Sequence, residues 1–341
     1  MLLVGFVAGR WGTRRTLGYS VLVMSAGVLL CAISPGYGLL FLAMLFAGLG
    51  EGVIEGLATP FVQNLHPKEP GRYVNISHAF WSVGVLITVL VSGWLLARGF
   101  SWRGMTGVVA VVGAMAGVLI LWPASEGRGY PAQTSRTDAR EIWRQIRAIL
   151  GTRTFWLYYA AMFLAGGGEF CLTFWSASHI QLHFRANAWS GGLGVGIFAA
   201  AMVIGRLAAG YYVPQDKLRK LILVSAVGGA LVTACLPFVT QISYFYVLLF
   251  LAGLATAPFW PSIQSYAADR LPQVDSTLLL ILLSCAGVPG CGVFTYLMGV
   301  WGDHAGSLAH AFYLVPAAYC CIFMLIWVSG RLGGASRDPD R

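Results

Sequence analysis

Charge is what this 341-residue sequence has least of: Asp, Glu, Lys and Arg make up 10% of it, against about 25% in soluble globular proteins. A chain that is 57% hydrophobic cannot cover a folded surface with charge, which excludes a water-soluble domain. Disorder is excluded in turn, because disordered chains are poor in aromatics and this one holds 19 Phe, 14 Tyr and 12 Trp. The seven cysteines all lie inside apolar stretches, without the close Cys/His spacing of a zinc site. They read as small apolar fillers. There is no P-loop, nucleophile elbow or metal-ligand cluster, so ATP-driven pumping and hydrolysis lack their parts, and no enzyme activity, cofactor or metal is expected. His179 and His183 share a helix face but lack the intervening Glu and a third ligand. Gly5 to Arg15 is already a polar, arginine-bearing loop, so no secretory leader is expected there.

What is present is apolar length. Crossing a hydrocarbon core of about 30 Å takes about 20 apolar residues as a helix. Ten such stretches occur, over residues 16–33, 38–65, 73–98, 102–123, 153–183, 187–213, 218–239, 243–270, 274–299 and 308–329. The expected fold class is an all-α membrane protein. With the Gly5–Arg15 loop and the C-terminus on the cytoplasmic side, the 22 basic residues fall on inner segments except Arg98, Arg103 and Arg185 outside and Arg206 within the membrane. That asymmetry is the positive-inside rule, and it accounts for the net charge of +9 without nucleic acid. A multi-pass cell-membrane protein follows, in the inner membrane if the source is a Gram-negative bacterium.

Residues 124–152 form the one long connection. It turns helical with Ile142, Trp143, Ile146, Ile149 and Leu150 on one face and Arg140, Arg144 and Arg147 on the others, the pattern of a helix lying on the inner leaflet. Four spans precede it and six follow, and a repeat explains the imbalance. Arg14-Arg15 recurs as Arg219-Lys220, Ala47-Gly48-Leu49 as Ala252-Gly253-Leu254, and Pro67 as Pro272, each 205 residues later. Two six-helix halves are expected, the first lacking about 50 residues, enough for two helices at about 20 apolar residues each and a loop. The predicted organisation is a truncated N-terminal bundle over 1–123, a linker over 124–152 and a six-helix bundle over 153–341.

Gly5-Phe-Val-Ala-Gly9-Arg10-Trp-Gly12-Thr13-Arg14-Arg15 resembles the signature loop between the second and third helices of the major facilitator superfamily. Glycines let the backbone turn tightly at the membrane surface, and arginines bind carboxylates and helix C-termini. Gly9 stands where the family has an acid and Thr13 where it has a base. Gly5, Arg10, Gly12, Arg14 and Arg15 are the candidate gating residues. Gly205-Arg206 and Gly210 look like a weaker echo in the second half. A narrower stretch, with Glu55 five residues before Pro60 and then Asn75 and His78 opening the next helix, is similar to the fucose permease branch. The resemblance implies the major facilitator fold of two pseudo-repeated helical bundles, alternating access, and proton-coupled uptake of a sugar. The acid that the branch carries on its first helix is not in this chain.

A carboxylate inside a span costs about 2.5–3.5 kcal/mol on insertion scales, so ionisable groups there mark a cavity or a partner. Glu51, Glu55, Glu169 and Arg206 are the candidates. Glu51 and Glu55 are one turn apart, where mutual repulsion favours protonation of at least one. Heights of about 16 and 9 Å above the intervening loop bring Glu55 and His78 within side-chain reach of each other, with Asn75 one turn below. Gly166-Gly167-Gly168 before Glu169 are expected to weaken the helix and turn carbonyls toward a cavity, and Arg206 is the expected partner of Glu169. Pro258-Phe259-Trp260-Pro261 interrupts its span, with Gln264 one turn beyond Trp260. An indole face and an amide suit a sugar, and Trp175 and Trp81 offer similar walls. The expected function is secondary transport of a sugar or sugar-like solute with a proton, by a monomer in membrane lipid. An exporter of hydrophobic compounds, and a non-transporting receptor or remnant, are the alternatives.

Overall fold

The computed structural model describes residues 11–66, 68–122 and 139–332. Among them ten helices are long and apolar enough to cross a membrane, and their bounds follow the ten apolar stretches of the sequence. The largest departure is the ninth, which continues to Ala305 and stops where Gly306 adopts a left-handed φ of 64°, a conformation that ends helices. Several hydroxyls in or at the ends of the spans are satisfied locally. Ser20, Ser25, Ser34, Thr233 and Thr256 each donate to the carbonyl four residues back, as an apolar solvent requires.

The chain divides into two compact units. The first, residues 1–65 and 98–147, contains α1 (Thr13–Ile33), α2 (Tyr37–Leu65), α4 (Trp102–Leu121) and most of α5 (Ala139–Gly151). Here α1 packs against both α2 and α4, and small residues make the approach possible. A Cβ on Gly27 would strike the backbone of Ala47, and one on Gly113 would press on the Ser25 hydroxyl. Arg103 donates to the Ser34 carbonyl at 3.1 Å and so ties the start of α4 to the end of α1.

The second unit, residues 66–97 and 148–341, contains α3 (Pro70–Leu96), α6 (Arg153–His183), α7 (Ala188–Tyr212), α8 (Leu218–Ala234), α9 (Ile242–Thr256), α10 (Phe259–Arg270), α11 (Ser276–Ala305), α12 (Leu308–Ala311) and α13 (Leu314–Leu332). Spatial packing thus gathers α3 with helices far along the chain. The reason is a small-residue seam between α3 and α7. A Cβ on Gly192 would meet the Val89 carbonyl at 2.7 Å, one on Gly196 the Leu90 side chain at 2.8 Å, and one on Gly210 the Arg72 carbonyl at 3.0 Å. Gly192 near the start of α7 meets Val89 near the end of α3, and Gly210 near the end of α7 meets Arg72 near the start of α3, so the two run antiparallel.

The glycine run Gly166-Gly167-Gly168 does not behave as its sequence implied. α6 is continuous from Arg153 to His183, and all three glycines are buried. Their missing side chains admit the Gly287 carbonyl, the Phe294 ring and the Tyr319 ring respectively. These glycines are contact points for α11 and α13 and do not break the helix.

Candidate functional site

Arg206 of α7 is the largest fully buried side chain among the described residues, with 1% of its surface exposed. All three of its guanidinium nitrogens are engaged. Nη2 donates to both carboxylate oxygens of Glu169 on α6, at 3.0 and 3.1 Å. Nη1 donates to the Ser82 hydroxyl at 2.7 Å and the His78 carbonyl at 3.0 Å, both on α3. Nε donates to the Ala257 carbonyl at 3.1 Å. The last bond follows from the sequence: the residue four beyond Ala257, whose N–H would normally take that carbonyl, is Pro261, which has none. The Arg206 cation also lies 5.4 Å from the centre of the Trp81 ring. One charge pair therefore joins α3, α6, α7 and the junction between α9 and α10. Glu169 is only 3% exposed, and removing either member would leave an uncompensated buried charge.

That junction is the break the two prolines predict: α9 ends at Thr256 and α10 begins at Phe259. On α10, Trp260 is 7% and Gln264 0% exposed. Gln264 donates to the Ser284 hydroxyl at 3.1 Å. Its Oε1, the Trp260 Nε1–H and the Ser262 Oγ are buried without a hydrogen-bond partner. Unused donors and acceptors on a buried helix are rare and costly. The benzo edge of Trp260 rests on Gly287 of α11.

The other predicted residues separate. Asn75 is buried in the seam, donating to the Gly71 carbonyl at 2.8 Å with its Oδ1 unpartnered, beside Gly210. His78 reaches the network through its backbone carbonyl. Trp81 is 40% exposed and tilts toward Phe170, which stacks on Phe174. Trp175 donates its indole N–H to the Thr295 carbonyl of α11 at 3.0 Å and packs over Gly299. In the first unit, Glu51 is exposed and Glu55 half-buried on α2.

Of the loop residues, Gly12 takes a positive φ of 82° as the N-cap of α1, a place that favours glycine. Arg14 donates to the Ile120 carbonyl in the last turn of α4 at 2.7 Å, the helix-terminus role expected of it. Arg15 is exposed. Gly5 and Arg10 lie outside the described residues, as does the first part of the linker.

Three groups went unnoticed in the sequence. Ser82 sits one turn beyond His78, a spacing that could have flagged it. The Tyr319 hydroxyl of α13 pairs with Thr256 at 2.6 Å, with Gly168 and Gly229 closing on its ring. Gln215 accepts from the Gly71 N–H at 3.2 Å and donates to the Asp269 carboxylate at 2.7 Å, linking the start of α3 to the end of α10. The contacts of Tyr319 and Gln215 are long-range and leave no local pattern.

In sequence the chain is 31% identical over 137 residues to a multidrug resistance protein B homolog of Mycobacterium tuberculosis, covering 39% of this chain and 24% of that protein. It spans only about a quarter of that relative's length. An uncharacterized MFS-type transporter of Bacillus subtilis, YybF, is 22% identical over 100% of this chain and 82% of its own length. In structure the chain matches the fucose:proton symporter FucP of E. coli with a TM-score of 0.73, covering 96% of this chain and 86% of that one. At 16% identity that likeness shows the fold alone. The profile of the Major Facilitator Superfamily matches residues 1–273, and together with ten apolar helices in this arrangement it establishes that the chain belongs to the Major Facilitator Superfamily.

Proposed function

We propose that the protein is a proton-coupled symporter of a sugar or sugar-like solute, working by alternating access between the two halves with both chain ends on the cytoplasmic side. One observation carries the proposal: a carboxylate and a guanidinium deep in the spans, Glu169 and Arg206, hold four helical segments together through a single pair. A proton on Glu169 would cancel the charge that Arg206 opposes and loosen α6 from α3, the type of event that couples protonation to rearrangement. Glu55, with Glu51 one turn away, is the second proton-accepting candidate, and His78 is proposed to bond a hydroxyl of the cargo. For that cargo, the unpartnered indole N–H of Trp260, hydroxyl of Ser262 and amide oxygen of Gln264 offer the mixed donors and acceptors a hydroxyl-rich solute needs. Asn75 supplies a further acceptor, and Trp175 and Trp81 are the proposed stacking walls. The fold match to a fucose:proton symporter supports the same reading.

A second reading is proton-driven export of hydrophobic compounds. The relative named as a multidrug resistance protein favours it, as does the aromatic strip of Trp81, Phe170 and Phe174 beside the ion pair. Proteoliposomes with an imposed pH gradient separate the two. Sugar accumulation that is lost in Glu55→Gln and in Glu169→Gln supports symport. Dye efflux without sugar uptake supports export, and absence of any flux defeats both.

A further inference from the structure

No step of the proposed transport involves α5, the helix between the fourth and fifth spans. At 100° per residue, Arg140, Trp143, Arg144 and Arg147 fall within an arc of about 100°, and Ile142, Ile146 and Ile149 fall on the opposite side. The structure keeps both faces, with Trp143 on the side of the arginines and not, as its apolar ring suggested, among the isoleucines. The three isoleucines are buried, Ile149 completely, whereas the three arginines and Trp143 line a shallow cavity of about 590 Å³ and are exposed. Arg144 also holds Glu141 at 2.7 Å, which steadies its position and leaves it further N–H donors.

The height of this helix relative to the membrane follows from its neighbour. α5 ends at Gly151 and the span of α6 begins at Arg153. The Trp156 indole, one turn into that span, donates back to the Leu150 carbonyl at 2.9 Å, and Thr152 donates to Ala148 at 3.0 Å. The C-terminal end of α5 is thereby held at the level where the bilayer's apolar region begins. Arg147 lies one turn before that end, on the face that Arg140, Trp143 and Arg144 share, and guanidiniums with an indole at a membrane surface can meet phosphates on one side and acyl chains on the other. Arginine forks match phosphate oxygens, and tryptophan prefers the headgroup boundary.

We propose that Arg140, Arg144 and Arg147, with Trp143, form a binding site for the phosphate headgroup of an anionic phospholipid. Phosphatidylglycerol is the probe. The full chain is placed in nanodiscs of phosphatidylcholine mixed with phosphatidylglycerol, released in the mass spectrometer, and its retained lipids counted. Phosphatidylglycerol is expected to be retained selectively, and R140Q/R144Q/R147Q is expected to weaken that retention on the order of 100-fold, from about a fivefold loss per basic residue. R140K/R144K/R147K keeps the charge without the fork and is expected to retain part of the lipid. A matched thermal unfolding profile shows that each variant is folded, and if the triple Gln variant fails to fold, R147Q alone is read for a partial loss. Equal retention by the Gln variant and the unaltered protein overturns the proposal. So does displacement of the lipid by millimolar inorganic phosphate, which would make the site one for free phosphate.

Discussion

The two units treat their membrane-embedded acids in opposite ways. On α2, Glu51 is exposed and Glu55 half-buried, on a helix whose Phe41, Leu42, Met44, Leu45 and Leu49 are themselves exposed. On α6, Glu169 is enclosed and its carboxylate is held by an arginine bonded to three other helical segments. Burial in an apolar solvent demands a partner, and the dense packing around α6 supplies a charged one. The acid of α6 is thereby tied to three other helical segments through Arg206.

If this contrast holds, substitutions should separate by unit. The largest effect is expected for Arg206→Leu, which strands the Glu169 charge and should cost about 3–5 kcal/mol, read by thermal unfolding in detergent. The double variant Glu169→Leu with Arg206→Met should recover most of that loss, because it removes both charges; a double variant as unstable as the single would show that the pair holds the fold through more than charge. Next comes a glycine comparison. Ala at Gly290 would drive a methyl into the backbone of Phe163 and should cost about 1–3 kcal/mol. At Gly48 of α2 a Cβ meets no described atom within 4 Å, and Ala should add up to about 1 kcal/mol through helix propensity. Ser82→Ala, which removes one of the bonds to Arg206, should cost about 1 kcal/mol or slightly more. Smallest is Glu51→Gln, expected within about 0.5 kcal/mol of the unaltered protein; a large loss there would erase the contrast between the units.

How far the site could be read in advance depends on how local its signals are. The Glu169–Arg206 pairing was legible because two charges in apolar spans have few ways to be satisfied. The break at Pro258 and Pro261 was legible because a proline removes a donor wherever it sits. The role of Gly166 to Gly168 was misjudged, since a glycine that loosens a helix and a glycine that admits a neighbouring helix look identical in one dimension. Ser82, Tyr319 and Gln215 escaped for a related reason: a serine, a tyrosine or a glutamine is unremarkable until its distant partner is known.

Alone, then, the order of residues determined the solvent, the number and position of the spans, the charge asymmetry of the connections and which side chains were too polar to be idle. Each of these follows from the cost of placing a given group in hydrocarbon, which is a property of the group. The tertiary structure decided what that cost was offset by. It placed α3 against α7 through a seam of missing side chains, and it aimed Arg206 at a carbonyl that a proline had vacated. It also left the arginines of α5 on an open face. Those outcomes depend on distances between segments far apart in the chain, 128 residues for Arg206 and His78 and 144 for Gly71 and Gln215, and only packing sets such distances.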